Sequence, residues 1–217
     1  MHTLQQKAEQ LAKHMFVGGP VKDFEKLGRL QLMLLLQEGV YPHSKVLDIG
    51  CGCLRGGYWL IHFLNPHCYC GIEPNQAMLR AGLEQLLEPE VIQTKYPRFD
   101  HNDHFDSSVF GERFDVFLAR SIWTHASKAH IEQMLDAFAC DGAEHAVFLT
   151  SFLPARWLLP DYTGSAWVGR SHESQRPGFT FHRREWITAA CRRRGLTVEA
   201  LTGWRANGQR WLKIIKP

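Results

Sequence analysis

No long apolar run occurs in this 217-residue chain. A helix that spans a bilayer needs ~20 apolar residues, so we expect no membrane span. The formal net charge of the chain is only +3. The sequence has one dense basic cluster, residues 192–194, and such a cluster is typical of a helix C-terminus. Nucleic acid is therefore not expected as a partner. The N-terminus starts an amphipathic pattern instead of a leader, which predicts a cytoplasmic protein.

Wide cysteine pairs of the kind that hold structural zinc are also missing. The six cysteines include two Cys-x-Cys pairs, at residues 51–53 and 68–70. Structural zinc sites use wider spacings with turn geometry, so we interpret these side chains as buried thiols in a reducing compartment. Asp100, His101 and His104 could suggest a metal site, but a polar loop explains them equally well. We expect no metal.

What the chain does contain is a regular alternation of strand and helix patterns. Apolar residues at helical spacing predict two helices within residues 1–40, ahead of the first strand. Strands are predicted near residues 45–49, 67–72, 98–100, 114–119, 145–150, 196–201 and 210–215. A short turn region, residues 203–208, joins the last two, which allows only an antiparallel pair. The pattern predicts one α/β domain, residues 1–217, with a seven-stranded, mostly parallel sheet and an N-terminal helical extension.

A glycine loop follows the first of these strands. Asp48 lies in the strand, the loop is Gly50-Cys51-Gly52, and Glu73 ends the next strand. Glycines let a ligand approach the backbone closely, and ligands bind outside the carboxyl ends of parallel strands. Glu73 can accept hydrogen bonds from both hydroxyls of a ribose. A carboxylate at Asp48 suits a ligand with a cationic end better than a diphosphate.

This run resembles motif I of the class I S-adenosylmethionine-dependent methyltransferases, with Leu54 in place of the family's third glycine. Glu73 looks like the family's ribose-binding acid, and the final antiparallel hairpin extends the resemblance from residue 44 to the C-terminus. The resemblance implies a three-layer αβα sandwich and an enzyme that uses S-adenosylmethionine as co-substrate.

The resemblance also implies which residues contact the cofactor. Arg55 would pair with its methionine carboxylate, although a solvated surface arginine is an equal alternative. Asp103 would meet the adenine, with Asn102 as the close rival. The full implied set is Asp48, Gly50, Cys51, Gly52, Arg55, Glu73, Pro74, Asn102, Asp103, Ala119 and Ser121.

The segment after the fourth strand, residues 119–125, resembles the part of small-molecule methyltransferases that faces cofactor and acceptor. His125 is the candidate base because imidazole titrates near neutral pH; a helix-entry histidine bonded to backbone is the alternative. Trp123 either shapes the pocket or packs in the core. Residues 154–180 form a long aromatic loop with Tyr162, a further catalytic candidate, and His172.

These patterns predict methylation of O, N or C of a small-molecule metabolite by a monomer or homodimer. Residues 1–40 and 154–180 would form two walls of the acceptor pocket. No Asn-Pro-Pro-Tyr motif of nucleic-acid methylation follows the fourth strand. Two alternatives stay open. One is non-methyl chemistry of the same cofactor, either ring closure to azetidine-2-carboxylate or aminopropyl or aminocarboxypropyl transfer, and the other is a non-catalytic binding module.

Overall fold

A computed structural model of the chain describes residues 2–169 and 177–217. Where the sequence predicts a single domain, the contacts divide the chain into two compact units, Met1–His101 and Asn102–Pro217. Within the described ranges, no helix is both long and apolar enough to cross a membrane.

The first unit holds three parallel strands, with β2 paired to β1 on one side and to β3 on the other. Strands β1 and β2 are buried at every residue, as expected of parallel strands covered on both faces. In chain order the elements are α1 (Leu4–Leu11), α2 (Phe24–Gln37), β1 (Val46–Ile49), α3 (Gly57–Phe63), β2 (Tyr69–Ile72), α4 (Gln76–Gln85), α5 (Pro89–Lys95) and β3 (Arg98–Asp100).

The predicted N-terminal extension is helical and packs within the first unit. Thr3 begins α1 with a capping box, and the buried face of α1 joins one apolar cluster with Phe24 and Cys53. Cys53 belongs to the glycine loop after β1, so the extension supports that loop from the side. Helix α5 is absent from the sequence expectation, although Pro89 at its first position is a recognised start signal.

The second unit holds the remaining four strands in the order β4-β5-β7-β6. Strands β4 and β5 run parallel, and β7 lies antiparallel to both β5 and β6. The predicted mostly parallel set of seven strands with a C-terminal antiparallel hairpin is therefore confirmed. The elements are β4 (Phe114–Ala119), α6 (Lys128–Asp141), β5 (Gly142–Phe152), α7 (Arg184–Arg192), β6 (Thr197–Ala206) and β7 (Gln209–Ile215).

The predicted turn over residues 203–208 is wrong. Strand β6 continues through Gly203, where the chain adopts a φ of +93° and the pairing register with β7 shifts between Leu201 and Arg205. A glycine with positive φ inside a strand is typical of a bulge. In the sequence alone, such a glycine is interpreted as part of a turn. Only Asn207 and Gly208 connect the strands, with φ of +53° and +76°, as a two-residue hairpin requires.

Replacement of Ser127 by alanine tests the cap of α6. Ser127 Oγ accepts from the His130 N–H, and the His130 ring accepts from the Ser127 N–H. Because the variant leaves a helix-end donor unpaired, we expect Ser127→Ala to lower the free energy of unfolding by about 1 kcal/mol. Urea denaturation measures it, with the exposed Ser165→Ala as control. Equal midpoints for the two variants would contradict the capping role.

Candidate functional site

The glycine loop after β1 follows a left-handed backbone path. Gly50 and Gly52 have φ of +70° and +58°, and Leu54 has φ of +66°. Leu54 therefore adopts the conformation that a third glycine would adopt. Its side chain is fully buried, and this burial offsets the ~1–2 kcal/mol that the left-handed region costs an L-residue.

Glu73 connects the glycine loop to the start of α4. One carboxylate oxygen accepts from the Gly52 N–H at 2.9 Å, and the other accepts from the Asn75 N–H at 2.9 Å. Asn75 in turn caps α4, because its side chain accepts from the Met78 N–H. Glu73 is only 4% exposed. Two backbone donors therefore fix the carboxylate beside the glycine loop.

Asp48 lies deep in the first unit beneath the loop. Its Oδ2 accepts from the Tyr69 hydroxyl at 2.9 Å, and the carboxylate is 4% exposed. Burial, together with the Asp48 charge, raises the pKa of Tyr69 well above its usual value, so the phenol stays protonated and keeps donating. Asp48 therefore has a bond within the fold in addition to the ligand contact that the sequence predicts.

Two thiols line the glycine loop. Burial raises the pKa of the Cys51 thiol well above its ordinary value, so Cys51 stays a neutral thiol. A Cβ added to Gly71 would lie 2.8 Å from Cys51 Sγ, which shows that the thiol fills the space above that strand residue. These two loop thiols are buried as predicted. Cys140, in contrast, is exposed on α6, where the prediction of a buried thiol is wrong.

Arg55 has a role that neither of its sequence interpretations includes. Its guanidinium donates to the carbonyls of Gly19 at 2.9 Å and Val17 at 3.1 Å, and lies 4.9 Å from the centroid of the Phe24 ring. The side chain is half-buried, so it is not a solvated surface arginine. Its donors hold residues 17–19 of the N-terminal extension against the glycine loop. Pairing with a cofactor carboxylate remains a prediction.

Asn102 and Asp103, which the sequence predicts beside the adenine, are the first two residues of the second unit. Asn102 bonds its own loop, because its side chain accepts from the Asp106 N–H at 2.8 Å and donates to the Asp106 carbonyl at 3.1 Å. Asp103 is exposed beside His104. The structure favours neither as the adenine partner. In the part of the chain that the structure describes, no three His, Cys, Asp or Glu side chains are grouped to hold a metal ion.

The turn after β4 carries an unusual backbone and a polar contact that the sequence does not predict. Ala119 ends β4 fully buried, and Ser121 has a φ of +60°. The Ser121 N–H donates to Ser151 Oγ at 2.8 Å, and Ser121 Oγ lies 2.8 Å from Gln209 Nε2. Gln209 is absent from the predicted site because it lies 88 positions from Ser121, and a local pattern does not indicate which distant side chains meet.

One ring nitrogen of His125 bonds a backbone carbonyl, and among the described residues the other has no hydrogen-bond partner. Nδ1 lies 2.7 Å from the Val168 carbonyl oxygen, which can only accept, so Nδ1 carries the proton and Nε2 keeps the lone pair in the neutral ring. The ring centroids of Trp167 and Phe179 lie 6.1 Å and 5.3 Å from the centroid of the His125 ring. Burial lowers the pKa of His125 below its usual value, which favours this neutral form. Gly169 is required beside it, since an added Cβ would overlap Nδ1.

The other two catalytic candidates have roles within the fold. Trp123 is fully buried and packs edge-on against Phe148 with ring centroids 5.7 Å apart, which favours the packing alternative. The Tyr162 hydroxyl donates to the Ala166 carbonyl at 2.9 Å and so stabilises its own turn. His172 lies outside the described residues. Residues 154–169 and 177–180 of the aromatic loop are described, and their role as an acceptor wall remains a prediction.

No family model and no curated protein sequence matches the chain. Solved structures do match. KedS8, a sugar N-methyltransferase from Streptoalloteichus, has a TM-score of 0.67 at 17% identity, over 96% of this chain and 92% of that one. Magnesium protoporphyrin IX methyltransferase from Synechocystis has a TM-score of 0.64 at 15% identity, over 100% and 86%.

DesVI from Streptomyces venezuelae has a TM-score of 0.64 at 17% identity and is matched over 100% of both chains. The chain has the class I methyltransferase fold. The fold class predicted from the glycine loop and the C-terminal hairpin is therefore confirmed over the whole chain. At these identities the likeness concerns the fold.

The protonation state of His125 is directly measurable. Because burial favours the neutral ring, we expect its pKa to lie below the ~6.5 of an unperturbed histidine. We also expect the proton of the neutral ring on Nδ1. Nitrogen-15 chemical shifts of the imidazole, followed from pH 4.5 to 8, report both quantities. A pKa of His125 above ~6.5, or a proton on Nε2 in the neutral ring, would contradict the geometry.

Proposed function

We propose that this chain is an S-adenosylmethionine-dependent methyltransferase that acts on a small molecule. The observation that carries the proposal is the Glu73 carboxylate, which accepts from Gly52 and Asn75 at the carboxyl end of β2. A buried acid fixed in this way beside a glycine loop suits ribose hydroxyls. The methyltransferase fold of the whole chain supports this interpretation.

The residues of the loop fit such a cofactor. A Cβ built on Gly52 would meet only Met78 Cε, at 3.8 Å, so the backbone there is open to a flat ligand. Glu73 would accept hydrogen bonds from the ribose hydroxyls, and the neutral Cys51 thiol would offer an uncharged wall. When bound, S-adenosylmethionine supplies an electrophilic methyl group on its sulfonium.

The second unit offers a base for the acceptor. Methyl transfer is an in-line displacement that depends on alignment and on a free lone pair of the acceptor. Where the acceptor atom carries a proton, the lone pair on His125 Nε2 can remove it. The bond from Nδ1–H to the Val168 carbonyl fixes the ring orientation and the tautomer. The lowered pKa of His125 keeps this base unprotonated near neutral pH.

The acceptor class that we propose is a small metabolite methylated on O, N or C. The structurally similar proteins described as methyltransferases of a porphyrin and of sugars support a small acceptor. We propose cytoplasmic action as a monomer or homodimer.

The experiment that tests the function reads both possible co-products. Purified protein is incubated with S-adenosylmethionine labelled in the methyl group and with a fractionated metabolite extract. Methyl transfer produces S-adenosylhomocysteine and a labelled metabolite. Methylthioadenosine as the only co-product would overturn methyl transfer in favour of ring closure or aminopropyl or aminocarboxypropyl transfer. No turnover of the cofactor with any fraction would favour a non-catalytic binding module.

Glu73→Ala tests the cofactor site. The variant removes the acceptor for two ribose hydroxyls and the bond to the Gly52 N–H. We therefore expect S-adenosylmethionine binding to weaken by about 1–3 kcal/mol. Calorimetry measures the loss, and Glu84→Ala, an exposed glutamate on α4, is the matched control. Unchanged affinity in a folded Glu73→Ala protein would remove the assignment of this site.

His125→Ala and His125→Asn test the base. If the acceptor loses a proton, we expect turnover to fall roughly 10²–10⁴-fold in both variants while cofactor affinity stays unchanged. Because burial lowers the pKa of His125, the wild-type rate should rise with pH up to that lowered pKa and be flat above it. His14→Ala, at an exposed position, is the control. Near-normal rates in both variants from pH 6 to 9 would leave His125 as a structural residue.

A further inference from the structure

Three uncharged polar side chains meet at the carboxyl ends of β4 and β5. Gln209 Oε1 accepts from Ser151 Oγ at 2.7 Å and lies 3.1 Å from Ser121 Oγ. Gln209 Nε2 donates to Ser121 Oγ at 2.8 Å. The three residues come from the turn after β4, the end of β5 and the first position of β7, with Ser121 and Gln209 separated by 88 positions. We call this group the serine–glutamine cluster.

The backbone at the serine–glutamine cluster is strained. Ser121 has a φ of +60°, a conformation that costs a non-glycine residue on the order of 1–3 kcal/mol and is concentrated at functional sites. The Ser121 N–H donates to Ser151 Oγ, and Ser151 is fully buried. The bond to Ser151 stabilises this strained turn, and the turn places Ser121 Oγ within hydrogen-bonding distance of Gln209.

The cluster still has hydrogen-bonding capacity. The Gln209 amide nitrogen carries two hydrogens, and the described residues account for one of them, the bond to Ser121 Oγ. Gln209 and Ser121 are both half-exposed, so a ligand can reach them. No member is charged. Such a set of donors and acceptors complements a hydroxyl or amide group and discriminates against an ionised carboxylate or ammonium group, which it could not neutralise.

The cluster also shares one turn with His125. Thr124 Oγ donates to the Ser121 carbonyl at 2.8 Å, and the His125 N–H donates to the Ile122 carbonyl at 3.0 Å. These bonds fold residues 121–125 into a single turn. A small molecule bound at Ser121 and Gln209 is therefore held next to the turn that carries the base.

We propose that the serine–glutamine cluster binds the acceptor through an uncharged hydroxyl or amide group, and that Gln209 determines this specificity through its amide N–H. The inference rests on the methyltransferase function proposed above. It adds the chemical class of group that the acceptor presents and a residue from the C-terminal hairpin that recognises it.

The competing role for Gln209 is to fasten the hairpin to β4 and β5. Gln209→Glu separates the two roles. A carboxylate still accepts from both serine hydroxyls, so most of the fastening is kept, but it loses the bond from Nε2 to Ser121 Oγ and has no N–H to donate. Gln209→Ala removes both. Glu199→Ala, at an exposed position on the neighbouring strand β6, controls for disturbance of the hairpin.

The test measures initial rates of label transfer into the chromatographic fraction of the metabolite extract that the wild type labels. For both Gln209 variants we expect the amount of that fraction needed for half-saturation to rise about tenfold, because the acceptor loses one hydrogen bond. The concentration of S-adenosylmethionine needed for half-saturation should not change. The melting temperature of Gln209→Glu should fall less than that of Gln209→Ala, because the carboxylate keeps the bonds from both serine hydroxyls.

Wild-type saturation by the fraction in Gln209→Glu would overturn the inference while leaving the proposed function intact. A fall in melting temperature in both variants, without a change in half-saturation, would also overturn it and assign Gln209 the fastening role. If the wild type labels no fraction at all, the proposed function fails, and the inference fails with it.

Discussion

The candidate site depends on one carboxylate that bonds two backbone amides. Glu73 accepts from Gly52 in the glycine loop and from Asn75 at the start of α4, so it fixes the ends of β1 and β2 relative to each other. A buried carboxylate is costly unless it is hydrogen-bonded, and these two donors satisfy that requirement. In the proposed function the same carboxylate also accepts from the ribose hydroxyls, so one side chain would serve both the stability of the loop and the binding of the cofactor.

Several other contacts support this loop from within the first unit. Arg55 donates to carbonyls of residues 17–19, Cys53 joins the apolar cluster of α1, and Asp48 accepts from the buried Tyr69 hydroxyl. In the second unit, the turn after β4 is stabilised in a similar way, because Val168 fixes the His125 ring. Each unit therefore presents side chains whose orientation is determined by backbone partners.

The sequence predicts well the features that depend on neighbouring residues. Strand β4 follows from the local pattern of residues 114–119 and is confirmed with the same bounds. Contacts between distant positions were not predictable, since His125 and Val168 lie 43 positions apart and Ser151 and Gln209 lie 58 apart. A one-dimensional pattern indicates which residues share a face, but not which distant polar groups meet.

In the proposed function, Glu73 and the glycine loop hold S-adenosylmethionine or its demethylated product. A titration of S-adenosylhomocysteine into nitrogen-15-labelled wild-type protein, observed through the backbone amides, tests this site. We expect saturable shifts, at one ligand per chain, that are largest at Gly52 and Asn75, the two amides bonded to Glu73. Saturable binding that leaves both amides unmoved, or no binding to the folded protein at millimolar ligand, would contradict it.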